Sequence, residues 1–313
     1  MNDILKLIND SNDILLLTHE CPDGDAIGSI MAVYHFLVGI NKKVDILIPE
    51  IPPVFNFINS INNSVDKSDK TYDLSIVLDC STKERIGQLN SEFDRCKTSI
   101  VIDHHITNTN YGNINHVEAN ASSCCQVLYY LFKDWNVNIT REIAESLIVG
   151  LLTDTNGFAN DNLDRNSFGM AMELFDTGIN FHDIYYRVLS MKNRAQFELM
   201  KFTISRLEFF LDGKIAFSYI TKEDLNNSGA KLGDHEGLVD IGRNIEGVEV
   251  SIFVREDDGY RVSLRSNGRI NVNNIASKLG GGGHKMAAGA TIKENFKETK
   301  EILINETKKE FNL

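Results

Sequence analysis

Thr18-His19-Glu20-Cys21-Pro22-Asp23-Gly24-Asp25-Ala26 follows directly on the apolar run Ile14-Leu15-Leu16-Leu17. A histidine and two aspartates crowd the end of a buried strand, where an ordinary loop has little need of so much unpaired polarity. Three later stretches repeat the arrangement. Asp79 closes the run Leu74 to Leu78, Asp103-His104-His105 closes Thr98 to Ile102, and Thr153-Asp154 ends a helical pattern. Apolar strands separated by helical stretches predict an α/β fold with a mainly parallel sheet covered on both faces. Such sheets gather ligands outside the carboxyl ends of their strands. Those ends carry His19, Asp79 and Asp103-His104-His105.

Around these strands the spacing predicts helices over Ala26 to Leu37, Ala121 to Phe132, Asp164 to Phe175 and Phe181 to Leu189. Another helix is expected after Thr140, its N-cap, with Ile143, Leu147 and Leu151 as the buried stripe. Asp154 falls at that helix's C-terminal end, where the negative pole disfavours a lone carboxylate. A bound cation or a buried histidine would remove the conflict. Lys43 to Ile48 reads as a further strand, and Asn59 to Tyr72 as a polar surface connection.

Beyond residue 203 the pattern changes. Asp212-Gly213 and Asp257-Asp258-Gly259 each sit between strand-like runs, the mark of hairpins. Val272 to Leu279 has helical spacing and leads into Gly280-Gly281-Gly282-Gly283-His284, and Phe296 to Phe311 reads as a charged amphipathic helix. The expected organisation is an N-terminal domain over residues 1–188, a join over 189–203 and a smaller α+β domain over 204–313.

Composition narrows the function. The chain has 313 residues, enough for two cores, and its formal charge of −12 argues against wrapping long nucleic acid on a broad basic surface. A small phosphorylated substrate stays open, because bound cations reverse the local potential. No apolar run approaches the ~20 residues of a membrane span, and the N-terminus lacks the pattern of a secretory signal. The expected location is cytoplasmic. Five cysteines without a CxxC pair read as free thiols.

Hard divalent ions take oxygen ligands, and manganese also accepts imidazole nitrogen. The candidate ligands are His19, Asp23, Asp25, Asp79, His104 and Asp154, with Asp103 and His105 beside them. Each has an ordinary explanation alone: Asp-Gly-Asp is common in turns, and Asp79 could cap a helix over Ser81-Thr82-Lys83-Glu84. Their joint placement at three strand ends favours a metal site. Two ions roughly 3.5–4 Å apart can activate water and stabilise an in-line phosphoryl displacement. Asp79, ending a central apolar strand, suits a carboxylate shared by both.

The motif series His19-x-x-Pro22-Asp23-Gly24-Asp25-Ala26-x-Gly28-Ser29, Asp79, Asp103-His104-His105 and Asp154 resembles the DHH phosphoesterase superfamily. Arg265-Ser266 and Gly281-Gly282-Gly283-His284 match its associated C-terminal domain. The resemblance covers essentially the whole chain and is greatest to the bacterial oligoribonuclease and 3'-phosphoadenosine 5'-phosphate (pAp) phosphatase branch, the NrnA type. It implies one Mn²⁺ on His19, Asp23 and Asp79 and a second on Asp25, Asp79, His104 and Asp154, with Mg²⁺ as a substitute. Asp79 would bridge, and hydroxide activated by the two metals would attack. His105 would donate to charge developing on the phosphate, and Asp103 would orient a histidine from behind.

For the second domain, the glycine run alone reads equally as a flexible turn or as a phosphate-wrapping loop. The resemblance favours phosphate, with Arg265, Gly281, Gly282, Gly283 and His284 binding nucleotide across a cleft from the metals. Ser266 and Asn273 are weaker phosphate or sugar candidates. Tyr185, Tyr186 and Phe158 lie where a base could stack, though packing explains them as well. The leading expectation is a manganese-dependent phosphohydrolase that degrades short RNA oligonucleotides to 5'-mononucleotides and converts pAp to AMP. Alternatives are a cyclic-di-AMP or linear pApA phosphodiesterase and, in another class, a non-catalytic nucleotide sensor stabilised by metal. A homodimer is compatible with the sequence, but no stripe in it points to an interface.

Overall fold

The apolar runs of the N-terminal half pair side by side, all in parallel. Strands β1 (Asp13–Leu17), β2 (Lys43–Ile46), β3 (Leu74–Leu78), β4 (Ser99–Asp103) and β5 (Ile114–Val117) form one sheet in the order β2-β1-β3-β4-β5. The structure is a computed structural model that describes residues 3–231 and 233–311. It divides into two units, Met1–Met191 and Lys192–Leu313.

The first unit also contains helices α1 (Asp3–Asp10), α2 (Gly24–Gly39), α3 (Asn90–Asp94), α4 (Cys124–Asp134), α5 (Arg141–Asp154), α6 (Arg165–Asp176) and α7 (Phe181–Tyr185). β3 and β4 are buried along their whole length, which is why they read as continuous apolar runs rather than alternating ones. Alternate residues of β1 serve two cores. Ile14 and Leu16 pack with Ile27, Leu128 and Leu147, whereas Leu15 and Leu17 pack with Tyr72, Ile86 and Val101. β5 was not foreseen because Ile114-Asn115-His116-Val117 mixes polar with apolar residues; it is a half-exposed edge strand.

Helices α2 and α5 approach so closely that a Cβ on Gly28 would come within 2.5 Å of the Ser146 carbonyl oxygen. That contact sets the end of α5 beside the start of α2. Thr140 accepts a hydrogen bond from Ile143 N as the N-cap of α5, and Ile143, Leu147 and Leu151 are buried.

The second unit holds α8 (Arg194–Ser205), β6 (Glu208–Phe210), β7 (Ile215–Ile220), α9 (Lys222–Ser228), α10 (Leu238–Arg243), β8 (Val250–Asp257), β9 (Gly259–Ser266), α11 (Val272–Lys278), β10 (Gly282–Gly283), β11 (Ala287–Ile292) and α12 (Phe296–Glu310). Its sheet has the order β10-β11-β9-β8-β7-β6 and is antiparallel except at β7–β8. One face, including Ile252 and Leu264, packs with Ile275 of α11 and Leu303 of α12. Across the sheet, Phe253 packs with Leu199 of α8 and Leu238 of α10. Most of the expected join over 189–203 is thus helix, with Leu199 buried in this second core. Helices α9 and α10 were not foreseen; each is too short to show a full apolar period. Among the described residues no helix is long and apolar enough to cross a membrane.

Candidate metal centre

Asp23 caps α2: its Oδ1 accepts from Asp25 N at 3.0 Å and Ala26 N at 3.1 Å. The following turn carries Asp25 inward, where its carboxylate accepts from Cys124 N at 2.5 Å and Cys125 N at 2.9 Å, the first residues of α4. A helix N-terminus is a favourable place for a buried anion. Room for it comes from Gly150, where an added Cβ would come within 2.5 Å of Asp25 Oδ1. Sequence reading had no means of finding this cradle, because backbone amides of a distant helix leave no residue signature.

Asp79 follows β3 with φ +53°, a left-handed turn that an aspartate tolerates better than most residues. It is 2% exposed, and its Oδ1 is buried without a hydrogen-bond partner. Three imidazoles surround it. His104 Nε2 and His105 Nδ1 each lie 3.6 Å from Asp79 Oδ1, and His19 Nε2 lies 3.9 Å from Oδ2. His104 Nε2 is also 3.6 Å from Asp154 Oδ2 and 3.8 Å from Asp25 Oδ2. Its Nδ1 donates to the Ala121 carbonyl at 3.2 Å, which leaves the Nε2 lone pair directed at carboxylates. That arrangement is repulsive unless a proton or a cation intervenes.

The titration behaviour expresses the same crowding. Burial, with Asp25, Asp23 and Asp154 nearby, raises Asp79 well above the usual carboxylate range. Asp154 is pushed up to about 8 by burial and by Asp25. Burial also raises Asp25, against the opposing pull of His104, and drives His19 down to about 4. Burial alone would lower His104, but Asp25 and Asp154 outweigh it and raise the ring.

Donor atoms fall into three sets, each mutually within 4.8 Å: His19, Asp23 and Asp79; Asp25, His104 and Asp154; and Asp79, His104 and His105. Imidazole nitrogen mixed with carboxylate oxygen suits manganese and related divalent ions. The residues fit a metal on a second count, since a cation would occupy the orphaned side of Asp79 Oδ1.

Asp103, fully buried, stands behind the histidines. Its Oδ1 accepts from His105 Nδ1 at 2.7 Å and His104 N at 2.8 Å, and its Oδ2 accepts from Asn108 Nδ2 at 2.6 Å. Burial works against its charge, yet these hydrogen bonds hold its carboxyl below the usual range. Asn108 was missed in the sequence, although an amide five residues past Asp103 was a visible signal.

In the second unit, Arg265 lies on β9 with Ser263 and Arg261 on the same face, and its Nη1 donates to the Leu264 carbonyl at 3.1 Å. Burial lowers its guanidinium pKa. Ser266 is fully buried; its Oγ accepts from Gly268 N at 3.1 Å and so closes a turn rather than facing solvent. Gly281 to His284 are exposed, but they do not wrap into an open loop. Gly281 N donates to the Ala276 carbonyl, Gly282 and Gly283 pair with Gly289 and Ala288, and His284 N donates to the Ala287 carbonyl. A Cβ on Gly281 would lie 2.0 Å from the Gly289 carbonyl oxygen, so the glycines permit a flush hairpin. Asn273, on α11, is half-buried beside Gly282. A groove of about 450 Å³ on this unit is lined by His235, Arg255, Arg261, Gly280 and Gly289. Its two arginines went unnoticed in the sequence, where they look like ordinary hairpin charges.

Comparisons with known proteins agree with the fold. The DHH family, N-terminal domain, matches residues 13–151, and the DHHA1 domain matches residues 212–311. Over 295 residues the chain is 32% identical to the bifunctional oligoribonuclease and PAP phosphatase NrnA of Thermus thermophilus, covering 93% of this chain and 87% of that one. The protein of the same name from Bacillus subtilis is 28% identical over 301 residues, covering 93% and 92%. The crystal structure of an exopolyphosphatase-related protein from Bacteroides fragilis superposes with a TM-score of 0.90 at 27% identity, covering 98% of this chain and 95% of that one.

Proposed function

This chain belongs to the DHH family of phosphoesterases, and from that membership we propose that it hydrolyses short RNA oligonucleotides to 5'-mononucleotides and pAp to AMP and phosphate. The supporting relatives carry both activities in their names. The observation that carries the reading is Asp79: a buried carboxylate with an unpartnered oxygen, common to two of the three donor sets.

His19, Asp23 and Asp79 would hold one Mn²⁺, and Asp25, Asp79, His104 and Asp154 the other. When bound, the two ions supply an acidic water for attack at phosphorus and positive charge for the phosphoryl oxygens. The chain's own groups prepare the rest. Ala121 O fixes the His104 tautomer, and the Cys124 and Cys125 amides fix Asp25. Asp103 holds His105 by Nδ1, so Nε2 is the atom left to meet a substrate oxygen. Hydrolysis forms one P–O bond from water and breaks one to the ribose oxygen, which leaves with a proton. Arg265, Asn273, His284 and the Gly281–Gly283 hairpin are assigned to the non-reacting part of the substrate. Arg265 offers a bidentate grip on phosphate that lysine cannot match.

The test is turnover by the Mn²⁺-loaded chain of a panel: pAp, pApA, cyclic-di-AMP and RNA of two to five units. RNA and pAp are expected to react. Reaction confined to cyclic-di-AMP or pApA would replace the assigned substrate, and binding without turnover of any would make the protein a sensor.

A further inference from the structure

One apolar side chain at the rim of the metal centre belongs to no core. Ile106, the residue after His105, is 79% exposed, the highest value among the described large hydrophobic residues, and it joins none of the four hydrophobic clusters. A single exposed isoleucine on an open surface needs no explanation. This one differs in where it stands and in how firmly it is held.

Asn108 N donates to the His105 carbonyl at 3.0 Å, which puts Ile106 and Thr107 at the tip of a β-turn. The turn is pinned from below. Asn108 Nδ2 donates to Asp103 Oδ2 at 2.6 Å and to the Cys80 carbonyl at 3.3 Å. Thr109 N donates to the Ser81 carbonyl at 3.0 Å, and Asn110 N donates to Asn108 Oδ1 at 2.7 Å. The bonds to His105 and Ser81 are backbone to backbone, so they hold the tip even without the Asn108 amide. Asp103 meanwhile grips His105 with one oxygen and the foot of the turn with the other. Isoleucine brings nothing to such a turn, whose usual residues are glycine, proline, asparagine, aspartate and serine. Its Cα lies about 3.8 Å from that of His105 across a trans peptide. A rigid turn therefore lifts an apolar group into water one residue away from the imidazole that meets the substrate.

We propose that Ile106 is a specificity-determining residue that packs against the base of the leaving nucleoside. This rests on the phosphohydrolase reading of the metal centre. In the conversion of pAp to AMP, and in the release of 5'-mononucleotides from RNA, the bond broken joins phosphorus to a ribose 3' oxygen. His105 Nε2 meets another oxygen on that phosphorus, so the adjoining residue meets the nucleoside that hangs from it. Ribose hydroxyls gain nothing from an isoleucine, whereas the flat face of a base is covered by it. Every base has such a face, so the contact accepts any short RNA sequence as well as adenine. A substrate made of phosphate alone offers Ile106 no partner.

The test compares pAp with its baseless analogue, in which hydrogen replaces adenine, on the Mn²⁺-loaded full chain. The wild type should favour pAp by about tenfold in kcat/KM, the scale of one apolar contact. Ile106→Ser should raise KM for pAp about tenfold at unchanged kcat, and should leave kcat/KM for the analogue within about twofold. Ile106→Leu, which conserves volume, should keep pAp within about threefold of wild type. Because Ile106 lies outside every core, the variants should melt at the wild-type Tm. A wild type indifferent to the base, equal losses on both compounds, or no loss with Ile106→Ser would each overturn the proposal. Turnover of neither compound would sink the assigned hydrolysis, and calorimetric dissociation constants for the same pairs then decide about Ile106 separately. A weakening of about tenfold confined to pAp upholds its role, and any other pattern overturns it.

Discussion

The two units treat polar chemistry in opposite ways. In the first, Asp25, Asp79 and His19 are 1%, 2% and 5% exposed, and four carboxylates repel one another at the carboxyl edge of a parallel sheet. In the second, Gly281 to His284 stand in water and Arg265 is only partly covered. A buried cluster of like charge is costly unless something neutralises it, so its persistence in the fold is itself an argument for cations. An exposed hairpin costs little whether or not it binds anything. The physics therefore speaks strongly about the first unit and weakly about the second, and substitution should show that asymmetry.

The largest difference is expected between Asp79→Asn and His284→Ala. Losing the shared carboxylate should reduce kcat by about a thousandfold or more, equivalent to roughly 4 kcal/mol of barrier. His284→Ala should act mainly on KM, by about tenfold. Equal effects on kcat would erase the contrast. Asn108→Ala comes next. It frees Asp103 Oδ2 without touching a proposed ligand, and a loss of about 10–100-fold in kcat with unchanged KM is expected from such supporting groups. A KM effect alone would place Asn108 with the substrate instead.

Chelation sharpens the comparison in stability. Removing a tightly held ion costs about 3 kcal/mol or more of apparent stability, a fall of roughly 5–10 °C in Tm. Hydrogen exchange should quicken at the ends of β1, β3 and β4 while β8 and β9 are unmoved. Uniform loosening of both units would contradict the assignment of the cations to the first.

The smallest effect belongs to the second unit. Burial, with Arg255 and Arg261 beside it, drives His235 down to about 4. Its unfolded value is near 6.5, so the unfolded chain binds the extra proton first. The contribution is full above pH 6.5 and is lost as pH falls from 6.5 through 4. His235→Gln should flatten that part of the Tm–pH curve, and an unchanged curve would show that other groups set it.

How much of this was legible in the sequence follows from what each residue does. Strand ends could be read because β3 and β4, buried on both faces, must be apolar throughout, and a polar residue at their close stands out. His19, Asp79 and Asp103 to His105 stand out in that way. β5 was not, because a half-exposed edge strand tolerates asparagine and histidine. Nor were the amides of Cys124 and Cys125, since a backbone donor has no letter of its own. The glycine run was visible, but its conformation was not. Gly281 is flush against Gly289 and Ala290, eight and nine positions along the chain, and the sequence does not say which strand comes to lie beside it. The outward face of α6 was hidden for a related reason. Phe168, Met172 and Phe175 look like core until Met170 and Leu174 are seen to fill the inner face.

Anomalous diffraction from crystals grown with Mn²⁺ tests the central claim most directly. Two manganese peaks should appear with Asp79 bound to both, His19 and Asp23 completing one and Asp25, His104 and Asp154 the other. A single peak, or manganese held away from Asp79, would contradict the account.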